Sequence, residues 1–172
     1  SRNALVSIGP DGLRYDPTRS AVLQGLTGRG NASFVDTVTF VARNSAGVTV
    51  NGSLAVTVSG VEDAPTAASA TFATDADMAL PIDVLALVRD ADLNPVLTLQ
   101  SFAATSTLGA SVTLQGGMLS YDPAASMALA QLFVGQVVTD SFTYTVSDET
   151  GRSVTGTVRV VVSGALDAAI VD

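Results

Sequence analysis

Cysteine, histidine, lysine and tryptophan are all missing from this sequence. Without cysteine there is no disulfide, no reactive thiolate and no cysteine-ligated zinc. Without histidine the chain lacks the commonest general base and the commonest transition-metal ligand. Its 8 basic residues are all arginine, which removes lysine Schiff bases and Lys–Asn isopeptide staples. A serine nucleophile would have no base to serve it. Glutamate is scarce as well: of 16 acidic residues only Glu62 and Glu149 are Glu. No apolar run reaches the roughly eighteen residues of a membrane-spanning helix, so direct membrane insertion is not expected. No signal-peptide pattern opens the residues read here. The net charge of −8 argues against nucleic acid and anionic membrane surfaces as partners.

Aspartate, threonine and valine are what the chain does have. Glu favours helices, whereas Asp favours turns, caps and oxygen-rich metal loops. An Asp-rich, Glu-poor, Thr/Val-rich chain with 47% apolar residues therefore reads as an all-β protein with a packed core and acidic loops. The phrase GLRYDP at residues 12–17 returns as MLSYDP at 118–123. The echo extends further, because residues 35–64 align without a gap on residues 139–168. Asp36 falls on Asp140, Gly47 on Gly151, Gly52 on Gly156, Gly60 on Gly164 and Asp63 on Asp167. A period near one hundred residues is too long for a solenoid and fits β-sandwich domains in tandem.

Strict alternation marks the strands. Phe142, Tyr144 and Val146 point one way, while Thr143, Thr145 and Ser147 point the other. Val154, Val158, Val160 and Val162 share a face in the next run. Between the two lies DETGR, a turn with Gly151 available for positive φ. The first copy repeats the hairpin with Val38, Phe40 and Ala42 against Val50, Leu54, Val56 and Val58. Further strands are expected near 69–74, 79–85, 95–102, 110–115 and 117–121, and a short helix within 124–133. That makes about seven strands in one copy, the count of an immunoglobulin-like sandwich. Each Tyr-Asp-Pro phrase should end a strand, with the ring of Tyr15 or Tyr121 in the core and its hydroxyl at the core's edge. Asp16-Pro17 and Asp122-Pro123 should then open a turn or short helix.

These signals divide the chain into three parts. Residues 1–61 form the back half of a sandwich, 62–168 form a complete copy, and 169–172 begin a linker to a following copy. The linker at 61–66, VEDAPT, is stiffened by Pro65. Two explanations of the half copy stay open: the chain is an excerpt of a longer protein, or another chain supplies the missing strands.

TDADMALPIDVLALVRDADLNPVLTL at 74–99, then MLSYDP, then DSFTYTVSDETGRSVTGTVRVVVSG at 140–164 resembles the bacterial cadherin-like tandem repeats of giant surface adhesins and matrix proteins. The resemblance implies seven-stranded Greek-key sandwiches in tandem and export by a one-step (type I) route to the cell surface or beyond. It also implies a spacer or adhesive role whose partners are neighbouring repeats or other copies in a filament or surface layer. Calcium often rigidifies the joints of such repeats, and it takes six to eight oxygen ligands. The candidate ligands are Asp90, Asp92 and Asn94 in one loop, Asp148 at the hairpin end, Glu62 and Asp63 at the linker, and Asp75 and Asp77 near the start of the copy. Ala76, Leu87, Val88, Leu93 and Asn94 depart from the family pattern, which weakens the ligand set. In the first copy Asn44 replaces the Asp148 equivalent. The alternative for the loop is a solvated turn whose Asp side chains cap backbone N–H groups.

No catalytic residue or organic cofactor is expected. The acids recur at turns and domain ends in both copies, which suggests architecture rather than one active site. A carbohydrate- or ligand-binding module is the alternative, but 3 Tyr and 6 Phe leave little for a sugar-stacking platform. A filament subunit completed by strands of another chain is the third reading.

Overall fold

The computed structural model describes residues 2–26, 32–92 and 94–165. Leu93, Asp167 and the linker expected at 169–172 lie outside the described residues. The chain divides into two compact units, residues 1–63 with 91–95 and residues 64–90 with 96–172. Among the described residues, no helix is long and apolar enough to cross a membrane.

The second unit is a β-sandwich. One sheet runs β6 (Ala70–Asp75), β13 (Ser153–Ser163), β12 (Val137–Ser147) and β9 (Thr98–Phe102), each paired with the next. The other runs β10 (Ser111–Gln115), β11 (Met118–Asp122) and β7 (Leu80–Ile82). A short extra pair joins β5 (Thr66–Ala67) to β8 (Val88–Arg89). All ladders are antiparallel except β6 with β13, which is parallel from Ala70↔Val158 to Asp75↔Ser163. The period-2 pattern explains the core: Phe142, Tyr144 and Val146 of β12 lie on the same side of the sheet as Val158, Val160 and Val162 of β13, and all six are buried. Each fully buried valine of this kind contributes about 1.5–3 kcal/mol. Tyr121 of the opposite sheet stacks on Phe142 with ring centroids 6.0 Å apart.

The β12–β13 hairpin turns where the DETGR phrase expects, with Gly151 at φ 88°. Strand expectations are met for β6, β10 and β11 and shortened elsewhere. The strand expected at 79–85 stops at Ile82, because Asp83 Oδ1 accepts the N–H groups of Leu85 and Ala86 and folds the chain into a tight 3₁₀ turn, Leu85–Leu87. The strand expected from 95 begins at Thr98. After β11 the chain turns helical as expected. Asp122 caps the turn with Pro123 at its first position, and Ser126 then caps α2 (Met127–Ala130).

The first unit repeats the back half of this plan. β1 (Leu5–Gly9) pairs with β2 (Gly12–Asp16), and β3 (Ser33–Arg43) pairs with β4 (Thr49–Ser59). Asp16 and Ser20 cap the 3₁₀ turn Pro17–Arg19 and α1 (Ala21–Gln24), as Asp122 and Ser126 do later. Register is kept: Leu5↔Asp16 matches Ser111↔Asp122, and Phe40↔Gly52 matches Tyr144↔Gly156. What differs is cover. Val38 is buried, but Phe40, Ala42, Val50 and Leu54, expected on the inner face, are exposed.

Candidate functional site

A tyrosine–aspartate tie recurs in both copies. In the second unit Tyr121 Oη donates to Asp140 Oδ2 at 2.8 Å, and Ser106 Oγ donates to the same oxygen. Asp140 Oδ1 accepts the N–H groups of Leu108 at 2.8 Å and Ser141 at 2.7 Å. The carboxylate is buried, and its four donors replace the water it gives up. In the first unit Tyr15 Oη donates to Asp36 Oδ2 at 2.9 Å, and the Arg2 N–H donates there at 3.2 Å. Ser20 and Ser126 add a second tie, each donating its hydroxyl to a carbonyl eighteen residues earlier, at Arg2 and Leu108. The Tyr121 hydroxyl is therefore inside the structure rather than at the edge of the core, whereas Tyr15 is half-buried. Burial, then the bond to Asp140, pushes the Tyr121 pKa up, and burial with Asp36 does the same to Tyr15. For Asp36 burial opposes ionisation, but the Tyr15 and Arg2 bonds outweigh it and hold the pKa below the usual carboxylate range. The sequence carried a signal for these ties: an Asp and a Tyr-Asp-Pro phrase that both recur.

Asp148 closes the β12–β13 hairpin. Its Oδ1 accepts from Thr150 N (2.7 Å), Thr150 Oγ1 (2.8 Å) and Arg152 N (2.9 Å). Burial opposes ionisation here too, yet these bonds prevail and lower the pKa. Asn44 makes the equivalent turn, with its Oδ1 accepting from Val48 N at 2.9 Å. The Asp-to-Asn exchange between copies thus keeps the turn bond. The second carboxylate oxygen of Asp148, Oδ2, is buried and has no hydrogen-bond partner among the described residues.

The remaining candidate ligands are dispersed. In the first unit the N–H of Asp63 donates to Asp92 Oδ2 at 3.1 Å. Asp92 is buried, whereas Glu62 is half-buried and Asp63 exposed. Asp92 therefore caps backbone, as the turn reading expects, though it is not solvated. Asn94 is exposed with φ 56°, a left-handed position that Asn tolerates. In the second unit Asp90 is half-buried. Asp75 and Asp77 are exposed in the turn after β6, where the Met78 N–H donates to the Asp75 carbonyl at 3.1 Å. Among the described residues, no group of three or more acidic side chains is placed to hold a metal ion.

A family model described as a bacterial cadherin-like domain matches residues 62–164. No curated protein matches the sequence. Among solved structures, mouse cadherin-23 EC22-24 is similar at 15% identity and a TM-score of 0.44, over 93% of this chain and 49% of that one. Protocadherin gamma B2 extracellular cadherin domains 1-5 are similar at 12% identity and a TM-score of 0.40, over 93% of this chain and 30% of that one. The chain thus spans about half the length of the first of these structures and under a third of the second.

Proposed function

Because the chain belongs to the bacterial cadherin-like domain family, a class of adhesive and structural domains, we propose that it is a spacer and adhesive repeat of a large extracellular surface or matrix protein. The carrying observation is how the acidic side chains are used. Asp16, Asp122, Asp140 and Asp148 each accept backbone N–H groups at turns or between strands. Carboxylates committed in this way position the chain and are not poised for acid–base work. The module's partners are neighbouring repeats of its own polypeptide or further copies in a surface layer or filament, and one-step secretion is its route out. A sugar-binding role is less well supported. The exposed aromatics among the described residues, Phe40 and Phe133, belong to different units.

Calcium is part of this reading. The buried Asp148 Oδ2, without a hydrogen-bond partner among the described residues, has the donor chemistry a hard cation takes. Asp90 in the same unit, and separately Asp92, Asn94, Glu62 and Asp63 in the first unit, are the further candidate ligands, while the exposed Asp75 and Asp77 would contribute least. Bound there, the ion would neutralise carboxylates that otherwise repel. The test is a calcium titration followed by calorimetry, thermal melting and small-angle scattering. Calcium should raise Tm and narrow the distribution of molecular dimensions, and Asp148→Ala should abolish both effects. A flat titration removes the metal and leaves the spacer reading intact. Saturable retention on a polysaccharide column would replace the spacer reading with a binding module.

A further inference from the structure

The chain keeps its most oxidisable side chains apart from its core. With no Cys, His or Trp, it has 3 Met and 3 Tyr as its readily oxidised residues. Tyr121 and Tyr144 are buried, and Tyr15 is half-buried with its hydroxyl bonded to Asp36. The methionines lie outside: Met78 is 58% exposed, Met118 43% and Met127 78%. This reverses the usual distribution, since Met is among the residues most often fully buried. The core of the second unit is built from Val, Leu, Ile, Ala, Phe and Tyr, with no sulfur among the described residues.

Each methionine stands where the fold uses its backbone. Met78 lies in the turn after β6. Its N–H donates to the Asp75 carbonyl at 3.1 Å, and its own carbonyl accepts the Thr74 hydroxyl at 2.9 Å. Met118 opens β11, paired with Gln115 across the hairpin turn. Met127 is the first residue of α2, behind the Ser126 cap. The first copy builds two of these places without a thioether: Gly12 pairs with Gly9 at the start of β2, and Ala21 begins α1 behind Ser20. Strand and helix therefore form there with no help from a methionine side chain, and an oxygen added to these exposed sulfurs meets water.

We propose that Met78, Met118 and Met127 are sacrificial oxidation sites for hypohalous acids. The sulfur lone pair takes the halogen and hydroxide leaves; water then adds to sulfur and halide departs. In sum, thioether and hypohalous acid give sulfoxide, halide and one proton. Sulfur loses two electrons and the halogen gains them. A sulfoxide is polar, so it disrupts a core but is accommodated at a surface. Oxidant consumed at these three positions is oxidant that does not reach the tyrosines. The inference goes beyond the spacer reading, and the calcium and polysaccharide tests given above do not bear on it, so the two fail separately.

The test treats the full chain with hypochlorous acid in steps up to one equivalent per methionine, followed by peptide mass mapping and thermal melting. One oxygen should appear on each of Met78, Met118 and Met127, with Tyr121 and Tyr144 unmodified and Tm moved by less than about 2 °C. A variant carrying Met78→Leu, Met118→Leu and Met127→Leu has no sulfur to oxidise, and the same dose should chlorinate Tyr15 and lower the folded fraction. Met127→Ala, which places the residue of the first copy, repeats the comparison with a single exchange. It should take up one oxygen fewer and show Tyr15 chlorination at a lower dose than the parent chain. Tyrosine chlorination ahead of methionine oxidation, a Tm that falls as sulfoxide accumulates, or equal tolerance of the oxidant by parent and variants overturns the proposal.

Discussion

Asp140 holds four donors from three parts of the chain, and its loss orphans all of them. Asp140→Ala should therefore cost about 3 kcal/mol or more, and Tyr121→Phe about 1–2 kcal/mol, as read from urea midpoints by circular dichroism. Tyr144 presents the opposite case, since its buried hydroxyl has no hydrogen-bond partner among the described residues. The first copy has Phe40 at this position. Tyr144→Phe should be neutral or stabilising by up to about 1 kcal/mol in the same measurement, and a loss above that would show a hidden partner. The acids also set a pH limit. Asp36 and Asp148 have folded pKa values below those of the unfolded chain. Their stabilisation is complete above about pH 4 and is lost as pH falls through the folded values. Tyr15 and Tyr121, whose folded pKa values are raised, act at the other end and lose stabilisation above about pH 10. Urea midpoints should fall on both sides of a neutral plateau, and Asp148→Asn should flatten the acid limb. Composition placed aspartate in turns and at caps. It did not reveal which carboxylates would be buried, because that depends on strands far apart in sequence meeting.

At the scale of the element, the β12–β13 hairpin was the most legible part of the sequence. Its alternation named the buried face, and its glycine named the turn. The same alternation in β3 and β4 named an inward face that is in fact open. A period of two fixes which side chains share a side of a sheet, and it carries no information about whether another layer lies over them. The short pair of β5 with β8 escaped notice because two residues show no period. The recurrent Gly52 and Gly156 read only as landmarks, yet each leaves room for the aromatic ring opposite. A Cβ on Gly156 would stand 2.4 Å from Tyr144 Cζ, and one on Gly52 would stand 2.4 Å from Phe40 Cζ. Gly156→Val should destabilise by about 1–3 kcal/mol, and combining it with Tyr144→Ala should recover part of that loss in a double-mutant cycle. Strict additivity would mean that ring and glycine do not interact.

At the scale of the whole molecule, the two units share a plan and differ in closure. The slowest-exchanging amides should therefore lie in β12 and β13, whose inner faces are covered. Those of β3 and β4 should exchange through lower-energy openings despite equal strand length. Heating should give two transitions rather than one, visible by calorimetry. The parallel ladder between β6 and β13 has a consequence for a module of this kind. It joins the first strand of the four-stranded sheet in chain order to the last strand of the sandwich, over six residue pairs. If the polypeptide is pulled at both ends, the load runs along these two strands in opposite directions. The bonds between them are then sheared together and not peeled apart one at a time, so the sandwich resists as a single latch until all six pairs give way.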